Sequence, residues 1–218
     1  MPSLFSDDDR QRIRKAIDEA ETATSAEIVP YVVVQSDPYP AARWRGGVLG
    51  ALLVLSVATL LRTMPGTDLP SSLSAPSVLA AALVTGLLGA VAAGSFPSLL
   101  RALTPQTETQ RAVYRRAVEA FLEQNLFDTR DRTGILLFVS LNEHRIEVLA
   151  DRGIDEQVDA AAWDDVTDHI RRGIETDRLT KGLLDGIGRC GAVLDEHGLE
   201  ARTEDEDELS DRLRRGGP

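Results

Sequence analysis

Cysteine is almost absent from this chain. Cys190 is the single one in 218 residues, so no intrachain disulfide forms and the usual marks of an oxidising compartment are missing. Basic surplus is lacking as well: the formal net charge is -11, which argues against a nucleic-acid partner, because phosphate binding needs a cationic surface. His144, His169 and His197 are scattered, and no pair has the spacing of a zinc site. Neither a phosphate-binding glycine loop nor a Gly-x-Ser-x-Gly elbow occurs. Six residues after Cys190 stands Glu196, where a cysteine phosphatase would need arginine, so Cys190 reads as a small residue on a helix face.

Charge itself is missing from one long stretch. Between Arg45 and Arg101 only Arg62 and Asp68 carry any, although the whole chain is 27% charged and 43% hydrophobic. Within that window Gly46 to Leu61 holds 16 uncharged residues and Pro76 to Leu100 holds 25. A helix crossing a hydrocarbon core needs about 20. The second run suffices; the first is short unless it extends through Arg62 to Met64 with that arginine snorkelling. Trp44 and Arg45 stand where interfacial anchors are expected. Two transmembrane spans are therefore predicted at about 46–64 and 76–100, inside a hairpin covering 41–104. A buried helical pair in a soluble core would show the same runs, but the remaining chain is too small to wrap it. The run starts too late, behind a charged amphipathic segment, for a cleaved signal peptide. Pro65, Gly66, Pro70 and three serines make the connector a turn region. Gly46 and Gly50, with Gly86, Gly89, Ala90 and Gly94, are small residues that let helix backbones approach. Arg43, Arg45, Arg101, Arg111, Arg115 and Arg116 flank the spans outside the connector, against Arg62 within it. That bias predicts a protein of the cell's inner (plasma) membrane with both termini cytoplasmic.

On either side of the hairpin the pattern is that of a soluble domain. Residues 3–24 form an amphipathic helix capped by Ser6, with Asp7, Asp8 and Asp9 at its positive end and Ile13, Ile17 and Ala20 on one face. Glu27 to Val34 is a strand, in which Pro30 argues for an edge or an irregularity. The domain thus begins in 1–40 and resumes in 105–199. There Gln106 to Phe127 is helical, with Val113, Ala117, Ala120, Phe121 and Leu126 as its apolar stripe. Gly134 to Leu141 is apolar on both faces and reads as a central strand. Arg145 to Ala150 would pair with it through a turn at Asn142 to His144. Helices follow at 160–174, with Trp163 assigned to the core, and at 179–197. The acidic segment 200–218 ends in Gly-Gly-Pro and is expected to be largely disordered. One strand before the hairpin makes no useful sheet alone, so it must join those after it, which an even number of spans allows.

The residues TSAEIVPYVVV at 24–34, TRDRTGILLFVSLNEHRIEVLADRGID at 129–155, Trp163 and KGLLDGIGRCGAVLDEHG at 181–198 resemble the TPM domain. That family is named for a thylakoid-lumen protein, a photosystem II subunit and a modulator of nematode acetylcholine receptors. The chain is most similar to its bacterial membrane branch, in which a hydrophobic hairpin interrupts the domain and an acidic segment follows, here Glu208-Leu209-Ser210-Asp211. The resemblance implies an α/β fold, a three-layer α/β/α sandwich on a small mixed sheet. It also implies activities described for other members: weak acid phosphatase for some lumenal ones, calcium binding for some soluble ones.

One cluster of charges follows from the strand hairpin. If Leu141 and Arg145 flank the turn, Asp151 returns to the level of Gly134, near Asp131 and Arg132. Asp128, Asp131, Asp151 and Asp155 would then converge at one end of the sheet, a donor set of the kind that Ca²⁺ or Mg²⁺ takes. Arg130, Arg132 and Arg152 would serve an anion or pair with the acids. Three readings stay open: solvated loop charges, a divalent-ion or anion site, and hydrolysis. Glu27, starting its strand, is read as structural and paired with an arginine. The expected function is a membrane-anchored, non-enzymatic binding or assembly module whose partners are the bilayer and another membrane protein. The alternative is a weak cation-dependent acid phosphatase using the Asp cluster.

Overall fold

In a computed structural model of the chain, residues 4–64, 74–199 and 214–215 are described. The chain forms two compact units, one from Met1–Asp37 with Gln110–Pro218 and the other from Pro38–Thr109.

The first unit opens with α1 (Asp7–Ala23). Ser6 Oγ accepts from the Asp9 N–H while the Asp9 carboxylate accepts from the Ser6 N–H, closing a capping box that holds the Asp9 pKa below its ordinary value. Next comes β1 (Glu27–Val33), then, beyond the second unit, β2 (Gly134–Ser140) and β3 (Arg145–Ala150). β1 and β2 are parallel, from Glu27 opposite Gly134 to Val33 opposite Ser140. β2 and β3 are antiparallel, with Ile135 opposite Ala150 and Ser140 opposite Arg145. Every residue of β2 is buried, as its two-faced apolar run requires of a central strand.

Pro30 lies within β1 opposite Leu137. The Glu27 N–H donates to Thr133 O on the β2 side, so by strand alternation the Pro30 nitrogen faces the other edge. Along that edge, among the described residues, β4 (Arg214–Arg215) pairs with Tyr31 and Val32 and not with Pro30. Apart from Arg214–Arg215, the expectation of a disordered tail, including Glu208 to Asp211, falls outside the described residues.

Two cores clothe the sheet. On one face Ile28, Val32, Ile135, Leu137 and Val139 meet helices α1, α7 (Trp163–Glu175) and α8 (Leu179–Glu196), through Ile13, Ile17, Val166, Ile170, Leu183 and Ile187. Trp163 belongs to this core, and Cys190 is buried in it with its thiol pushed up to about 12, chiefly by desolvation. On the other face Val29, Tyr31, Val33, Leu136 and Phe138 pack on Val113, Ala117 and Ala120 of α5 (Gln106–Glu123) and on Leu126. The result is three layers, α/β/α, around a mixed sheet. The linker helix α6 (Arg152–Asp155) and a 3-10 turn at Ala160–Ala162 connect β3 to α7.

The second unit contains α2 (Pro40–Thr63), α3 (Ala75–Ser95) and α4 (Pro97–Leu103). The first apolar run is thus embedded in a 24-residue helix that starts six residues earlier than its uncharged stretch, with Pro40 preorganising the first turn. The second ends at Ser95 rather than Leu100, because Pro97 has no N–H to continue the ladder and instead opens α4. Gly46 and Gly89 are in close backbone apposition: a Cβ on Gly89 would lie 2.4 Å from Gly46 O. Gly47 with Gly86 and Gly50 with Thr85 continue the contact.

Candidate functional site

The strand register brings the far end of β3 to the start of β2, as the turn at Asn142 to His144 demands. The Asp151 N–H donates to Gly134 O at 2.8 Å, and the Gly153 N–H donates to Arg132 O at 2.9 Å. Gly153 has to be glycine there, since a Cβ would meet Asp131 O at 2.3 Å. Arg132 adopts φ 59°, the left-handed region, to turn the chain into β2.

Asp151 is buried at this junction. Its Oδ1 accepts from the Arg152 N–H at 2.7 Å and so caps α6, while Oδ2 lies 2.9 Å from Arg132 Nε. That second contact is an ion pair without hydrogen-bond alignment, leaving Oδ2 with no hydrogen bond. Arg132, Asp151 and Arg152 therefore do come together.

Asp128, Asp131 and Asp155 are exposed, as are Arg130 and Arg152, and Arg152 points its Nε at Glu156, 2.6 Å away. Among the described residues no group of three or more His, Cys, Asp or Glu side chains is arranged to hold a metal ion. Of the expected carboxylate set for Ca²⁺ or Mg²⁺, Asp151 is buried with structural partners and the other three acids are exposed. This donor set does not fit a resident divalent cation, which takes six or more oxygens, or an octahedron for Mg²⁺.

A second polar cluster, at the opposite end of β2, has no counterpart in the sequence pattern. Glu143 is buried. It accepts from Ser140 Oγ at 2.5 Å and from the Ser36 N–H at 2.9 Å, while Ser36 Oγ and Ser140 Oγ lie 2.7 Å apart. The Leu141 and Asn142 N–H groups donate to Val33 O and Val34 O. Arg115 on α5 pairs with Asp37 at 2.7 Å. Together these fix residues 34–37, the segment leading from β1 toward the hairpin. The signal available in sequence was a serine closing an apolar strand and an acid in the following turn, but its partner Ser36 stands 104 residues from Ser140.

Two surface cavities lie among charged side chains. One of about 660 Å³ lies between α1 and α8 beside Arg12, Lys15, Glu19, Asp185 and Asp195. Another of about 550 Å³ is flanked by Arg12, His144, Asp177, Arg178 and Lys181. Neither is lined by any of the seven expected site residues.

In the second unit, α2 and α3 are both long and apolar enough to cross a membrane, and 6% and 11% of their most apolar windows are buried. Leu49, Leu53, Leu60, Leu83, Leu87 and Leu88 are all more than half exposed. A core helix pair in a water-soluble protein would bury such residues.

A three-layer α/β/α domain interrupted after its first strand by a pair of apolar helices defines the class. A family model described as the TPM domain matches residues 97–193. The NMR structure of the BA42 protein from the psychrophilic bacterium Bizionia argentinensis sp. nov. has a similar fold. It superposes with a TM-score of 0.60 at 17% identity, over 99% of this chain and 98% of that one. No curated protein matches the chain.

Proposed function

We propose that the chain is an integral protein of the cell's inner (plasma) membrane. In this reading α2 and α3 span the bilayer, both termini and the TPM domain are cytoplasmic, and the domain is a binding or assembly module for another membrane protein. One observation carries the reading: β1, before the hairpin, lies in register beside β2, after it. A sheet built from both sides of the hairpin requires the chain to return to the face it left, which two spans accomplish. The arginine bias around the spans chooses the cytoplasmic face. Reporter fusions test this arrangement: fusions at either terminus should be fluorescent in the cytoplasm, and an alkaline phosphatase inserted between residues 65 and 73 should be active outside. An inactive insertion with non-fluorescent terminal fusions would reverse the orientation, and an inactive insertion with fluorescent terminal fusions would mean that the helices do not span the membrane.

A non-enzymatic role fits the chemistry of Asp151, whose oxygens cap α6 and face Arg132. A second reading, a weak cation-dependent acid phosphatase, draws on the buried Asp151 Oδ2, which accepts no hydrogen bond. The two separate on one comparison. Wild type and Asp151→Asn are assayed on an aryl phosphate with Ca²⁺ or Mg²⁺, and the full chain is used as detergent-solubilised bait. The assembly reading expects equal background rates and a membrane-protein partner retained through washing. Cation-dependent turnover abolished by Asp151→Asn would replace it with the phosphatase.

A further inference from the structure

We propose that Arg43 holds the phosphate of an anionic phospholipid headgroup, at the membrane face where α2 begins and α3 ends. The inference rests on the spanning reading above. Arg43 stands in the first turn of α2, beside the last turn of α3: a Cβ on Gly94 would lie 2.7 Å from Arg43 Nε and 3.2 Å from Cζ. Glycine at 94 therefore leaves the groove in which the guanidinium lies. Arg43 is exposed and has no hydrogen bond or ion pair among the described residues.

Its neighbour shows the contrast. Arg45 Nη1 donates to Leu103 O at 2.9 Å, the end of α4, and Nη2 pairs with Glu108 at 3.0 Å. Apart from Asp68 in the connector, Glu108 is the sole acid between residues 38 and 109, and Arg45 already holds it. With Arg43, Arg45 and Arg101 against Glu108, this end of the hairpin is net positive, which repels the ammonium of a zwitterionic headgroup and favours an anionic one.

The depth agrees. From Arg43 to Arg62 the helix rises about 29 Å, close to the thickness of a hydrocarbon core of about 30 Å. The two arginines thus bracket the exposed leucines of α2, and Arg43 falls at headgroup level. Trp44, 76% exposed, and Phe96, 60% exposed, are the aromatic residues of the same level. A guanidinium there presents a planar fork that matches two phosphate oxygens.

The test uses the full chain in nanodiscs of phosphatidylcholine with phosphatidylglycerol, the lipids retained by the protein being counted by native mass spectrometry. Arg189→Gln, an equal charge change in the TPM domain, is the control, and Arg43→Lys keeps the charge without the fork. Wild type should enrich phosphatidylglycerol, and Arg43→Gln should lose about fivefold of that preference, as ~1 kcal/mol per basic residue at an anionic surface implies. Arg43→Lys should fall between, and Arg189→Gln should match wild type. No enrichment, equal enrichment in Arg43→Gln, or an equal fall in Arg189→Gln overturns the headgroup site. Alkaline carbonate extraction keeps the two layers of argument apart: a protein that stays in the membrane but lacks lipid preference sinks this inference alone, whereas one that is released sinks the spanning reading with it.

Discussion

Asp151 illustrates how one acidic side chain at the end of a strand is used. It is buried with one oxygen on the Arg152 N–H and the other facing Arg132. Asp151→Ala should destabilise the domain by about 0.5–2 kcal/mol, the usual worth of a helix N-cap. Asp151→Asn retains a capping oxygen and should cost less. Thermal unfolding of the full chain in detergent measures both, and an alanine variant as stable as wild type would remove the cap from the account. Glu147 is half-buried on β3, where desolvation raises its pKa above the ordinary carboxylate range and Arg145 offsets this only in part. The folded state therefore binds the proton more tightly than the unfolded chain, so Glu147 lowers stability as pH rises through the raised folded pKa. Glu147→Gln should melt higher than wild type near neutral pH, with the gap closing as pH falls below about 4.5, and solvent screening keeps the gap small. A gap that widens in acid would reverse the assignment.

Elements were legible where periodicity is strong and less so where sequence-distant groups meet. The apolar runs at 134–141 and 145–150 reappear as β2 and β3 within a residue, the first because an unbroken apolar run of that length reports burial on both faces. Pro97, by contrast, cuts the second apolar run after Ser95, a break that the run's uniform hydropathy concealed. The acid cluster is a related case: a strand register sets Cα positions, whereas a metal site also needs converging side chains, and Asp128, Asp131 and Asp155 are exposed. Nothing in the local sequence joins Ser36 to Glu143, because the strands that bring them together lie on either side of the hairpin. At this scale the close approach of α2 and α3 makes a sharp demand. Valine at Gly89 would set its Cβ 2.4 Å from Gly46 O, well inside contact distance. Packing of small residues is what brings helices together in lipid, where no hydrophobic drive remains. Cysteines at Gly47 and Gly86 should therefore crosslink in membranes with the native Gly89 and lose that crosslink with Gly89→Val. The buried Cys190 does not confound the readout. Undiminished crosslinking in the valine variant would mean that the glycines do not set the spacing.

At the scale of the whole molecule, the hairpin and the sheet constrain each other. β1 is separated from β2 by about a hundred residues, yet the two strands share seven registered pairs, and closing so long a loop costs chain entropy that the sheet must repay. On the spanning reading the hairpin returns the chain to its starting face, and its particular residues matter less to the sheet than its even number of crossings. Deleting residues 64–95 would leave α2 as a single span and carry β2 to the opposite face from β1. The sheet would then lack β1, whose Ile28, Val32, Val29 and Tyr31 supply both cores. Replacing 46–95 with an unrelated two-span hairpin should instead preserve the domain. The measurement is limited proteolysis of membranes opened on the cytoplasmic side, following the 110–199 fragment. Native and replaced hairpins should both yield a resistant fragment, and the single-span deletion should yield none. Resistance in the deletion would show that β2, β3 and their helices hold without β1, and would break the link between an even number of spans and the fold on which the orientation argument depends.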